Sequence, residues 1–121
     1  MTKKHSIKWL ETTKDANYDA AENYLSLIFD KDIPKNFVAS LKAAPISEFM
    51  AKDILRASGL TLLGGTNKTV KKDLEKIKAG TPLSPILLVR HNGKTIIADG
   101  FHRTCAAYFN NECTIMNCKI I

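Results

Sequence analysis

An α+β domain with a small mixed sheet is what this sequence predicts, and three observations carry that prediction. Apolar residues at helical spacing recur along the chain as far as Gly80. Asn92-Gly93 sits between two short apolar runs, a strong local signal for a hairpin. The last stretch, "CTIMNCKII", alternates well enough to be a closing strand. Helices come first, then a hairpin, a helix and a strand, and that order defines the class.

Taken in order, "DANYDAAENYLSLIFD" places Ala20, Tyr24, Leu27 and Ile28 at helical spacing, which predicts an amphipathic helix from Asp15 to Asp30. A second helix follows, with Asp32 as candidate cap and Pro34 near its first position. Phe37, Val38 and Leu41 share one of its faces, and it ends before Pro45. Ile46 begins an edge segment, Ser47 or Glu48 opens a turn, and "AKDILRASG" is a short helix closed by Gly59. Gly64 and Gly65 mark a turn. The clearest helix is "TNKTVKKDLEKIKAG", capped by Thr66 or Asn67, with Val70, Leu74 and Ile77 as its buried stripe and Gly80 at its end. Ile86–Val89 and Thr95–Ala98 are the arms of the hairpin, turning at His91-Asn92-Gly93. "FHRTCAAYFNN" fits a helix with Cys105, Ala106 and Phe109 on its inner face. Trp9, the only tryptophan, anchors the N-terminal segment to the core.

Composition narrows the class of function. A chain of 121 residues, 45% hydrophobic and 25% charged, suits one compact globular domain. No apolar run approaches the roughly 20 residues that span a bilayer. The basic start "MTKKHSIKWLETTKD" lacks the apolar stretch and cleavage site of a signal peptide. A cytoplasmic protein with no membrane partner is therefore expected. Cys105, Cys113 and Cys118 show no CxxC spacing and read as free thiols in a reducing compartment. His102 forms no ligand pairing with them, so no zinc site is expected. The net charge of +6 points to an anionic partner: a nucleotide, a phosphate or a nucleic acid.

"ADGFHRTCAAY" is where that partner finds a site. A strand ends at Asp99, Gly100 turns, and a helix begins. The first N–H groups of a helix have no intrahelical partner, and the dipole adds partial positive charge, so such an end attracts anions. Gly100 lets a ligand approach the backbone. His102 and Arg103 in the first turn offer a ring nitrogen and a guanidinium fork to phosphate oxygens, with Thr104 beside them. Asp99 could cap the helix, hold Arg103, or coordinate a magnesium ion accompanying a nucleotide. Asp99 and His102 are the candidates for catalysis, as phosphoryl transfer or hydrolysis. Thr66, Asn67 and Lys68, before the lysine-rich helix, are candidates for the opposite wall; they are not a P-loop, lacking the GxxxxGK[ST] spacing.

"AGTPLSPILLVRHNGKTIIADGFHRTCAAY" resembles the core of the ParB/sulfiredoxin superfamily, a helix ending in Gly, a Pro-Ile strand, a hairpin, and a Gly-x-(His/Arg)-Arg turn opening an Ala-rich helix. The resemblance covers residues 70–121, less closely the segment from Pro45, and implies a core over 45–121 preceded by a helical extension over 1–44. It implies a nucleotide or phosphorylated ligand at Gly100, His102 and Arg103. Phe101 stands where partition proteins carry glutamate and sulfiredoxins their reactive cysteine, and Cys105 replaces a last arginine of the partition motif. Sulfinic acid reduction at that position is thereby excluded. Two other classes of function are open: a nucleic-acid-binding module using Lys68, Lys71, Lys72 and Lys76, and a protein-interaction module whose contact surface is the N-terminal helices.

Overall fold

The computed structural model describes residues 6–121. The opening stretch before Ser6, including His5, lies outside the described residues. Five helices and four strands follow in the order α1 (Asp15–Leu25), α2 (Ile33–Ala43), β1 (Ser47–Met50), α3 (Ala51–Ser58), α4 (Lys68–Ala79), β2 (Ile86–His91), β3 (Lys94–Asp99), α5 (Phe101–Asn110) and β4 (Ile115–Ile120). The strands make one mixed sheet in the order β1-β4-β2-β3. β4 runs parallel to β2 and antiparallel to β1, while β2 and β3 form an antiparallel hairpin. Both turn residues of that hairpin, Asn92 and Gly93, are left-handed, with φ of 52° and 75°, the geometry that Asn-Gly favours.

Four consecutive residues, Ile86–Val89, are buried because β2 is covered on both faces. Leu87 and Val89 pack with Tyr18, Ala21 and Leu25 of α1 and Val38 and Leu41 of α2. Ile86 and Leu88 pack on the other face with Ala51 and Ile54 of α3, Ala107 of α5, and Met116 and Cys118 of β4. A third cluster joins Leu55, Val70, Ile77, Leu83, Cys105 and Ala106, fixing α4 to α5 and α3. The N-terminal helices are thus one layer over the sheet. Trp9 bridges to Leu83 in parallel and packs half-buried against the second and third clusters.

Several expectations need correction. The first helix stops at Leu25 rather than Asp30, and its inward face is Tyr18, Ala21 and Leu25. Tyr24, Leu27 and Ile28 are exposed, Leu27 by 83%. The helix ends there because Phe29 turns back to pack on the core, with Phe37 and His91 edge-on at 5.0 and 4.7 Å. Asp32 precedes α2 without a capping hydrogen bond. Ser47 and Glu48 are strand rather than turn, paired with Cys118 and Asn117. In α4 the residue buried between Val70 and Ile77 is Asp73, while Leu74 is only half-buried. Phe109 points outward, since Thr104, Cys105, Ala106, Ala107 and Asn110 occupy the buried side of α5.

The start of helix α5 as candidate ligand site

The register between β2 and β3 shifts at Leu87/Leu88, so β3 carries an irregularity immediately before the turn, a device that re-aims side chains. Gly100 has φ of 111°, and a Cβ there would lie 2.3 Å from Ile86 Cγ2 and 2.6 Å from Ile86 Cβ. Glycine is therefore required both by the left-handed backbone and by the core residue beneath it.

Among the described residues no side chain caps α5. The Thr104 N–H donates to the Gly100 carbonyl at 2.9 Å, the first bond of the helix. The amides of Phe101, His102 and Arg103 precede it and have no capping partner, which leaves donors and dipole at that end. A cleft of about 340 Å³ opens here, lined by Asp99, Gly100, Phe101 and His102 on one side and by Ala20, Tyr24 and Leu60 on the other. Tyr24 and Leu60 were not foreseen as part of the site. Tyr24 had a signal, because α1 carries more apolar residues than one buried stripe can absorb; Leu60 had none.

Arg103 Nη2 donates to Asp99 Oδ2 at 2.7 Å, and both side chains are only 15% exposed. Its Nε is buried without a hydrogen-bond partner. The arginine therefore ties the first turn of α5 to the end of β3. Asp73 of α4, 8% exposed, adds a second carboxylate to this neighbourhood. Burial pushes its carboxyl above the usual range, and the positive charges of Lys76, Arg103 and His102 pull it partly back.

The other sequence candidates lie differently. Thr104 is fully buried and its hydroxyl donates to the Gly100 carbonyl at 2.8 Å, so it faces the helix and not the cleft. Asn67 Oδ1 accepts from the amides of Thr69 and Val70 at 3.0 and 3.1 Å and is the cap of α4. Thr66 and Lys68 are exposed, and none of Thr66, Asn67 and Lys68 lines the cleft. Lys68, Lys71, Lys72 and Lys76 are all exposed on α4, outside any ion pair among the described residues.

The donor set does not fit a resident magnesium ion. Asp99 is engaged by Arg103, and no three metal-ligating side chains gather among the described residues. The cysteines are free, with Cys105 and Cys118 buried and Cys113 exposed. Burial pushes the Cys118 thiol up to about 12 and raises Cys105 as well, so both stay protonated at neutral pH and are poor nucleophiles. Among the described residues no helix is long and apolar enough to cross a membrane. No protein-family model matches the chain, and no curated protein and no solved structure is found similar to it.

Proposed function

We propose that the chain is a ParB/sulfiredoxin-like binding domain that takes a phosphorylated small molecule, a nucleotide first among them, at the start of α5. The observation that carries the reading is the coincidence of uncapped amides and a cleft of about 340 Å³ at a Gly-x-His-Arg turn. Phosphate oxygens meet the amides of residues 101–103 and the exposed imidazole of His102. Arg103 contributes from behind, as the tie that holds this turn against Asp99. Tyr24, Phe101 and Leu60 offer an apolar wall to the rest of the ligand. The reading is one of binding: Asp99, the only carboxylate lining the cleft among the described residues, is already engaged by Arg103 and is not a free base.

Isothermal calorimetry with ATP, ADP, CTP and inorganic phosphate tests it. Binding at millimolar ligand or below is expected, weakened by His102→Ala for all ligands. Tyr24→Ala should cost nucleotides about 1–3 kcal/mol, the scale of base–aromatic stacking, and leave phosphate unchanged. Absence of heat for every ligand at millimolar concentration ends the proposal.

A further inference from the structure

A second cleft, of about 330 Å³, lies beside the only tryptophan and shares no lining residue with the one at α5. Its size falls within the ~300–1,000 Å³ typical of small-molecule sites. Trp9 and Ile115 supply apolar surface, and Glu48, Asn111, Thr114 and Asn117 supply polar groups. Among the described residues no lysine or arginine lines this cleft. An anion would find no countercharge among the described residues.

The polar groups have capacity left over. Asn111 Oδ1 accepts from the Cys113 amide at 2.9 Å, which leaves its NH₂ to donate. Thr114 Oγ1 accepts from Asn110 Nδ2 at 3.2 Å, which leaves its O–H to donate. Asn117 and Glu48, directly opposed across β4 and β1, enter no side-chain hydrogen bond or ion pair among the described residues. Glu48 is the single carboxylate lining the cleft among the described residues, outnumbered by the neutral polar side chains of Asn111, Thr114 and Asn117. Carboxamides and a hydroxyl both donate and accept, as do the hydroxyls of a sugar, and an indole presents a broad apolar face to a sugar's C–H surface. We propose that this cleft binds a small neutral saccharide, its ring against Trp9 and its hydroxyls on Asn111, Thr114, Asn117 and Glu48.

Trp9 is also its own reporter, because no other tryptophan contributes to the emission. The test titrates the full chain with D-glucose, N-acetyl-D-glucosamine and maltose, with choline and inorganic phosphate as comparisons, following tryptophan fluorescence. A saturable change with at least one sugar at millimolar concentration is expected, with none for choline or phosphate. Asn117→Ala should weaken it roughly tenfold, the loss of one hydrogen bond, and Tyr24→Ala should leave it unchanged. Asn117→Asp, which keeps the side-chain size, serves as a second variant where the alanine variant fails to fold. No saturable change with any sugar overturns the proposal, and so does a response confined to choline or phosphate.

Discussion

Asp73 occupies a position in α4 that the helical period assigns to an apolar side chain, between Val70 and Ile77 on the face packed against α5. Burial is the larger influence on its carboxyl and raises its pKa; the charges of Lys76, Arg103 and His102 oppose that rise without cancelling it. A carboxyl that protonates more readily folded than unfolded takes up its proton in the native state first. Native stability from this group is thus complete at pH below its ordinary value of 3.8 and is lost as pH rises through the raised one. Asp73→Asn, of equal size and without the charge, should raise the melting temperature at pH 7. The gap from wild type should shrink on acidification and close below pH 3.8. Thermal melts of both proteins across pH check this, and a destabilised variant at neutral pH would show that the attraction to Arg103 outweighs burial.

The element whose orientation spacing alone misassigns is α1. Ala20, Tyr24, Leu27 and Ile28 satisfy a helical period, and so do Tyr18, Ala21 and Leu25. Periodicity states which residues share a face but not which face meets the sheet. The sheet chooses the second set, and the insertion of Phe29 behind it ends the helix early. Leu25→Ala should therefore cost about 2–5 kcal/mol, while Leu27→Ala should stay within about 0.5 kcal/mol of wild type. Urea unfolding of the two variants measures the difference; equal losses would mean that Leu27 is buried after all. Other elements were legible because local chemistry decides them. Asn92-Gly93 sets the hairpin, Asn67 caps α4, and left-handed Gly59 and Gly80 close α3 and α4. The same contrast holds at the site. The strand–turn–helix at Asp99–Phe101, and Asp99 as one possible hold on the nearby Arg103, could be read from local order, but the Tyr24 wall depends on how α1 packs over the end of β3.

At the level of the whole molecule, α1 and α2 are a structural layer and not an appendage. Leu87, Val89 and Ala98 are buried only because Tyr18, Ala21, Leu25, Val38 and Leu41 cover them. A chain beginning at Pro45 would open that face of β2 and β3 to water. It should lose cooperative thermal unfolding and bind the dye ANS, as loosely packed states with exposed apolar surface do. A sharp melt for this fragment would show that the sheet needs cover on one side only. The layer also holds an internal cation: Lys119 Nζ donates to the Lys42 carbonyl at 2.9 Å, at the negative end of α2, above the Tyr18 ring. The pairing of Ser47 with Cys118 has a kinetic corollary. β1 can form early in synthesis but finds no neighbour until α3, α4, the hairpin and α5 have all been made. Closing so wide a loop carries an entropic barrier that local helices never face, so acquisition of the sheet should be the slow event in refolding, well behind the appearance of helical signal.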